Sequence, residues 1–186
     1  AIQEINDPNN FSADIGPIIS KNALKKLNDY ISDCRENNLK VFQCESDFSE
    51  THVPPTLIEI DNISQIEEEQ FGPILHVIKY KFNEIDKTIN QINESGYGLT
   101  MGIHSRIESR ADFISSESNI GNIYINRDMV GAVVGSQPFG GIGLSGSGFK
   151  AGGPNYLLQF LNEKVISKNS VAFGGNTELL NLQEDV

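Results

Sequence analysis

Cysteine and long apolar runs are both scarce in this chain. It has two cysteines in 186 residues, too few for a disulfide framework, and this favours a reducing, cytoplasmic compartment. No run approaches the roughly 18 apolar residues that a membrane-spanning helix needs. Residues 1–7 lack the basic region followed by an apolar one that marks a signal peptide. We therefore expect a cytoplasmic protein with no membrane span.

Positive charge is scarce as well. The chain has 14 lysines and arginines against 25 aspartates and glutamates, a net charge of −11. Such a chain repels phosphate backbones, so we expect no nucleic-acid partner. Its 38% of hydrophobic and 21% of charged residues are typical of a globular protein. Its length predicts about one domain.

Glycine is nearly absent from the first half of the chain. Of 17 glycines, only Gly16 and Gly72 precede residue 95, whereas nine lie within 131–153. Glycine tolerates positive φ angles and lets a ligand approach the backbone closely. The pattern predicts an ordinary scaffold followed by a specialised glycine-rich loop.

Part of that loop matches the dinucleotide-binding spacing GxGxxG, at Gly141, Gly143 and Gly146. The fingerprint works only where it follows a strand and opens a helix, so that the pyrophosphate meets the helix N-terminus. Here a proline and another glycine precede it, and more glycine and Pro154 follow before any predicted helix. We interpret the match as a coincidence.

Hydrophobic periodicity predicts an α/β fold with parallel strands. From residue 74 onward, strands alternate with helices at short spacing, which implies right-handed parallel crossovers. A capping box at 105–108 is expected to start one of the helices between these strands. The first predicted helix is 21–36, with Ser20 as its cap and an apolar stripe at Leu24, Leu27, Ile31 and Cys34. The second is capped by Asn83 and ended by Gly96, the third follows 105–108, and a short helix follows Pro154. The predicted strands are 39–44, 56–60, 74–80, 99–104, 120–125 and 163–167.

The cysteines and histidines do not suggest a catalytic or metal site. Cys34 lies on an apolar helical stripe and Cys44 ends a strand, with no neighbouring cation to stabilise a thiolate. Both are predicted to be buried small hydrophobes. The three histidines have no metal-ligand spacing. His76 and His104 lie within apolar strands, which favours packed side chains.

Two motifs together carry a family resemblance. The sequence E-E-Q-F-G-P-I at 68–74 resembles the E-E-x-F-G-P-V motif of the aldehyde dehydrogenase superfamily. The sequence Q-P-F-G-G-I-G-L-S-G at 137–146 resembles its P-F-G-G-x-x-x-S-G motif. Segments 126–127, 131–135, 150–154 and 172–180 further resemble the pyrroline-5-carboxylate dehydrogenase domain of the bacterial bifunctional proline utilization A family. The last of these favours that family over its stand-alone counterpart.

The resemblance implies a fold and an activity. It implies the C-terminal catalytic-domain portion of an aldehyde dehydrogenase, with residues 1–160 a partial catalytic domain and 161–186 an oligomerisation strand and tail. The implied reaction is the oxidation of glutamate γ-semialdehyde, formed from pyrroline-5-carboxylate, to glutamate with NAD. Val165 and Ile166 would pair with another subunit, so a homo-oligomer is expected.

The resemblance also assigns site residues. Glu69 would accept hydrogen bonds from the nicotinamide-ribose hydroxyls, and Phe71 would pack against the nicotinamide end. Gly131 and Ala132 would present backbone N–H groups to the substrate α-carboxylate, since a backbone cradle binds an anion without a side chain. Phe139 would form a wall around the substrate's aliphatic chain.

The nucleophile of the family chemistry is not among these residues. In the family, a cysteine thiolate attacks the aldehyde, and it precedes the segment that resembles 14–19 by some tens of residues. It would therefore lie before residue 1, as would the NAD-binding Rossmann domain. We expect the chain alone to be inactive and to bind NAD weakly or not at all. It would be a piece of an enzyme, either one that pairs with a separately encoded N-terminal half or one cut from a longer chain. The alternative is a non-catalytic remnant or an interaction module that uses the oligomerisation surface.

Overall fold

The computed structural model of the protein describes residues 14–45, 50–146, 148–169 and 172. The expected family-like tail at 173–180 lies outside these residues. In the described part of the chain, none of the helices has both the length and the apolar character needed to cross a membrane.

The first helix follows directly from its sequence. Helix α1 (Lys21–Glu36) begins after Ser20, whose side chain accepts a hydrogen bond from the Ala23 amide at 3.2 Å, as an N-cap does. Leu27, Ile31 and Cys34 are buried, and Leu24 is partly buried against the same core, which confirms the predicted stripe.

Helix α1 covers a three-stranded sheet. Strands β1 (Lys40–Gln43) and β2 (Thr56–Ile60) pair antiparallel, whereas β2 and β3 (Ile74–Ile78) pair parallel. The core forms where the helix meets the sheet, with Ile58 and Val53 fully buried. This half of the fold is a scaffold, and it positions the chain that enters β3.

The second half repeats the alternation of strand and helix but divides its strands between two small sheets. Strands β5 (Thr100–Ile103) and β6 (Asn122–Ile125) pair parallel, as the crossover rule predicts. Strand β4 (Tyr97–Gly98) pairs antiparallel with β7 (Ile142–Gly143). β3 belongs to the first sheet, so the continuous parallel sheet expected from residue 74 onward is not formed among the described residues. Periodicity identifies strands, whereas pairing depends on contacts distant in sequence. The helices of this half are α2 (Ile85–Glu94) and α3 (Glu108–Glu117).

Two predicted helix caps are wrong. A short 3₁₀ helix, Phe82–Glu84, precedes α2, so Asn83 is not its cap. Helix α3 begins without a side-chain cap. The Ser105 hydroxyl instead accepts a hydrogen bond from the Ile107 amide at 3.1 Å. The backbone amide of Ser105 donates to Asn126 Oδ1, and the Ser105 carbonyl accepts from Asn126 Nδ2. Ser105 therefore connects the end of β5 to the end of β6. Local hydrogen bonds of this kind compete with the capping of helix α3.

The segment 163–167 forms no strand, contrary to the sequence prediction. Val165 is 82% exposed and Ile166 65% exposed, and residues 161–169 have no regular structure. A strand needs a hydrogen-bonding neighbour, and none of the described strands pairs with this segment. The short helix after Pro154 is a 3₁₀ helix, Tyr156–Phe160.

Candidate functional site

The glycine-rich loop after β6 folds back on itself in two short antiparallel contacts. Val133 and Gln137 exchange backbone hydrogen bonds of 3.0 and 2.7 Å, and Phe139 and Ala151 exchange bonds of 3.0 and 2.9 Å. The Gly135 amide also donates to the Gly152 carbonyl at 2.9 Å. The loop is therefore a structured unit held by its own backbone.

Asn122, at the start of β6, connects this loop to the sheet. Its Nδ2 donates to the Pro138 carbonyl at 3.0 Å, and its Oδ1 accepts from the Gly140 amide at 3.1 Å. Lys150 completes the connection, because its Nζ donates to the Gly121 carbonyl and lies 3.4 Å from Asn122 Oδ1. A cavity of about 430 Å³ lies beside this contact, lined partly by Tyr124 and Arg127.

The glycines of the GxGxxG match serve backbone packing. Gly143 has a φ of 62°, and a Cβ there would lie 2.5 Å from the Gly96 carbonyl oxygen. Gly141 and Gly146 lie so close that a Cβ on either would overlap the backbone of the segment 141–146. The next helical element among the described residues is the 3₁₀ helix that starts at Tyr156. A phosphate-binding helix N-terminus is therefore absent from this motif, in agreement with the sequence interpretation.

The three predicted substrate-binding residues lie together on this loop. Gly131 and Ala132 are exposed, and Phe139 is partly buried. Gly131 has a φ of 123°, a conformation open to glycine and rarely to other residues. The loop thus offers exposed backbone at Gly131 and Ala132 and an aromatic side chain at Phe139 on one structural unit.

Glu69 and Phe71 lie on the turn that leads into β3. The Gly72 amide donates to the Gln70 carbonyl at 2.9 Å, and the Ile74 amide donates to the Gly72 carbonyl at 2.8 Å, which makes two successive three-residue turns.

A Cβ on Gly72 would lie 2.6 Å from Leu27 of helix α1, so the turn is packed against the scaffold. Glu69 is exposed, and Phe71 is 81% exposed. The exposed Glu69 carboxylate has two acceptor oxygens and could bind both hydroxyls of a ribose. The exposed Phe71 ring could stack against a flat aromatic group. These residues fit one edge of a dinucleotide site.

The structure thus places Gly131, Ala132 and Phe139 on one loop, and Glu69 and Phe71 on the turn before β3. Sequence reasoning missed Asn122 and Tyr124 and noted Lys150 and Arg127 only as parts of resembling segments. Asn122 had a usable signal, since an asparagine within an apolar strand needs a partner when it is buried.

The thiols are unsuited to nucleophilic attack. Cys34 is 5% and Cys44 is 7% exposed, as predicted. Burial raises the pKa of the Cys34 thiol, and neighbouring Asp33 adds to this, while a hydrogen bond from Tyr30 acts against it. A thiol held in its protonated form is a poor nucleophile.

Beside Cys34, the Tyr30 hydroxyl lies 2.7 Å from His76 Nε2, with the rings edge to face. Burial raises the pKa of Tyr30, and the hydrogen bond with Cys34 adds to this. Burial lowers the pKa of His76. His76 is a packed histidine, as predicted, whereas His104 is exposed, because it lies just beyond β5. Among the described residues, no three metal-ligating side chains are grouped together.

Comparison with known proteins gives consistent matches. The model of the aldehyde dehydrogenase family matches residues 2–166. The chain is 46% identical to the bifunctional protein PutA of Escherichia coli over 173 residues, which are 89% of this chain and 13% of PutA. It is 34% identical to the 1-pyrroline-5-carboxylate dehydrogenase of a Geobacillus species over 168 residues, 89% of this chain and 32% of that protein. The chain therefore spans a minor part of these relatives.

Solved structures show the same similarity. A variant of Bradyrhizobium japonicum proline utilization A superposes with a TM-score of 0.72 at 43% identity, covering 78% of this chain and 15% of that one. The 1-pyrroline-5-carboxylate dehydrogenase from Thermus with bound NAD superposes with a TM-score of 0.71 at 34% identity, covering 81% and 29%. The family model and these relatives together show that the chain belongs to the aldehyde dehydrogenase family.

Proposed function

We propose that this chain is the C-terminal part of the catalytic portion of a cytoplasmic, NAD-dependent glutamate γ-semialdehyde (pyrroline-5-carboxylate) dehydrogenase of proline catabolism. The observation that carries the proposal is the exposed backbone at Gly131 and Ala132, on a loop anchored to the sheet by Asn122. The names of the relatives, PutA and 1-pyrroline-5-carboxylate dehydrogenase, support the same activity.

The substrate's α-carboxylate binds to the backbone N–H groups of Gly131 and Ala132. Amides oriented toward a carboxylate bind it by charge-assisted hydrogen bonds and give orientation without a mobile side chain. Phe139 is fixed by its backbone pairing with Ala151, and its ring forms an apolar wall beside the aliphatic chain. Together these contacts position the aldehyde end of the substrate at a fixed distance from the loop.

Glu69 and Phe71 contribute one edge of the cofactor site. NAD supplies the hydride acceptor of the reaction. The Glu69 carboxylate accepts hydrogen bonds from the nicotinamide-ribose hydroxyls, and Phe71 fixes the pose of the nicotinamide end. These two residues alone bind NAD weakly, because a few exposed contacts do not offset the entropy lost on association.

Neither thiol of the 186 residues acts as the nucleophile, because Cys34 and Cys44 are both buried and the pKa of Cys34 is raised. The attacking cysteine belongs to an N-terminal portion, either on a separate chain or on a longer one. The 186-residue chain with glutamate γ-semialdehyde and NAD should therefore give no NADH. Turnover by the purified chain would contradict this assignment.

A chimera tests the function directly. E. coli PutA, with this chain in place of its matching segment, should reduce NAD with glutamate γ-semialdehyde. Glu69→Ala in the chimera should raise the KM for NAD, whereas Glu67→Ala in the same acidic run should leave it unchanged. A folded chimera without NAD reduction, or one that responds equally to both substitutions, would contradict the proposal.

The exposed apolar residues of the C-terminal segment favour association. Leu157, Leu161 and Val165 are 71%, 68% and 82% exposed, and apolar patches of this kind mark interfaces. We expect the chain to form a homo-oligomer, or to co-purify with a chain that carries the missing cysteine segment. A monomer by light scattering at all micromolar concentrations, without such a partner, would contradict this. A homo-oligomer without that partner would favour the non-catalytic interaction module.

A further inference from the structure

Two side chains of the β6 region bind consecutive carbonyls of the glycine-rich loop. The Tyr124 hydroxyl donates to the Gly131 carbonyl at 3.3 Å, and Arg127 Nη2 donates to the Val130 carbonyl at 3.1 Å. The two side chains also contact each other, with the Arg127 guanidinium carbon 5.1 Å from the centre of the Tyr124 ring. Tyr124 is only 6% exposed, so it is the buried member of the pair, and the 43% exposed Arg127 side chain lies against its ring. The pair forms a support under the loop.

The positions of these carbonyls determine where the next amides point. All described peptide bonds are trans, and in a trans peptide the C=O and the following N–H point in opposite directions. The Val130 carbonyl faces Arg127, so the Gly131 N–H faces away from it. The Gly131 carbonyl faces Tyr124, so the Ala132 N–H faces away from that side chain. Two successive amides are thereby directed away from the same supporting pair.

This arrangement requires glycine at position 131. In an ordinary extended segment, successive carbonyls point to opposite sides, so turning both toward one pair needs an unusual backbone angle. Gly131 provides it with a φ of 123°. A Cβ there would lie 3.6 Å from Arg127 Nη2, at van der Waals contact with the support. The glycine and the support therefore act together to expose two amides to one ligand.

We propose that Tyr124 and Arg127 are positioning residues that orient the Gly131 and Ala132 amides for a carboxylate, and so set the selectivity for amino-acid aldehydes over uncharged ones. The proposal rests on the proposed function for the identity of the ligand, but not for the orientation of the amides. Arg127 acts through the backbone, because its guanidinium is bonded to the Val130 carbonyl and lies 3.5 Å from the Asp128 carboxylate.

Residual dipolar couplings of the ¹⁵N-labelled 186-residue chain test the orientation without any ligand. Tyr124→Phe and Arg127→Ala should change the couplings of the Gly131 and Ala132 N–H vectors, because each carbonyl loses its anchor. Tyr97→Phe and Arg106→Ala, at an exposed tyrosine and an exposed arginine outside the loop, should not change them. Tyr124→Phe keeps the aromatic ring, so the packing of β6 is preserved. Unchanged couplings in both variants would overturn the proposal.

A pair of matched ligands tests the carboxylate selectivity. L-Norvaline has the five-carbon chain and the α-carboxylate, and L-norvalinamide lacks only the carboxylate charge. L-Norvaline, and not its amide, should shift the Gly131 and Ala132 amide signals, and Tyr124→Phe and Arg127→Ala should abolish the shift. Equal shifts in wild type and in both variants would overturn the positioning role. If the wild-type couplings change in the variants as expected, but L-norvaline shifts no amide signal of the wild type, the result would instead contradict the carboxylate site of the proposed function.

Discussion

Asn122 Oδ1 lies 3.1 Å from the backbone nitrogen of Gly140 and accepts its hydrogen bond. This contact joins the first residue of β6 to the middle of the glycine-rich loop, 18 residues further along the chain. Because the same side chain also binds the Pro138 carbonyl, one residue fixes both flanks of Phe139. The candidate substrate wall is thus positioned by a strand residue and not by the loop alone.

Replacing Asn122 should therefore destabilise the loop and the protein. Asn122→Ala leaves the Gly140 amide and the Pro138 carbonyl without these partners, and we expect a loss of about 1–3 kcal/mol in the free energy of unfolding. Urea denaturation measures the loss, and faster amide hydrogen exchange at Gly140 localises it. Asn90→Ala on the exposed face of helix α2 is the matched control. Equal stability of the two variants would contradict the anchoring role.

Gly121 is required for close packing of the loop on β6. A Cβ there would overlap the Gly140 carbonyl and lie 2.9 Å from the Gly141 Cα, and both neighbours are backbone. Gly121→Ala should cost about 1–3 kcal/mol or more in the free energy of unfolding, because overpacking forces the backbone to shift. Gly16→Ala meets no atom within 4 Å and should be neutral or slightly stabilising. Thermal unfolding of both variants makes the comparison.

The burial of His76 should make stability depend on pH. Burial lowers the pKa of His76 below its usual value of 6.5, so the folded state binds fewer protons than the unfolded state as pH falls through that value. The free energy of unfolding should therefore decrease between pH 7.5 and pH 5.5. His76→Gln should reduce this decrease, and His104→Gln, at an exposed position, should not. Urea denaturation at both pH values measures these changes. An equal decrease in the free energy of unfolding for the wild type and His76→Gln would contradict the prediction.

Both thiols should react slowly in the folded chain. Cys34 and Cys44 are buried, and the raised pKa of Cys34 leaves little thiolate at neutral pH. Ellman's reagent should modify neither quickly in native buffer, and should modify both of the chain's cysteines promptly in urea. Rapid modification of one thiol in the native protein would reopen the possibility of a nucleophile within these residues.

The sequence predicted correctly those elements that depend on residues close together in the chain. Helix α1 was predicted with its cap and its buried stripe, because i, i+3 and i+7 spacing and an N-terminal serine act within one helix. The turn at Gly96, which has a φ of 76°, was predicted as the end of α2 for the same reason. The cap at Ser105 was wrong, because its partner Asn126 is 21 residues away in the chain.

The sequence by itself determined the alternation of helix and strand, the glycine-rich loop and the family. Each of these depends on residues that are neighbours in the chain or form a contiguous motif. Only the tertiary structure decided that β3 and β5 belong to different sheets and that Asn122 anchors the loop. It also decided that Tyr124 and Arg127 support the carbonyls behind Gly131 and Ala132. The physical reason is that hydrogen-bond partners are chosen by proximity in the folded chain, which sequence spacing does not specify.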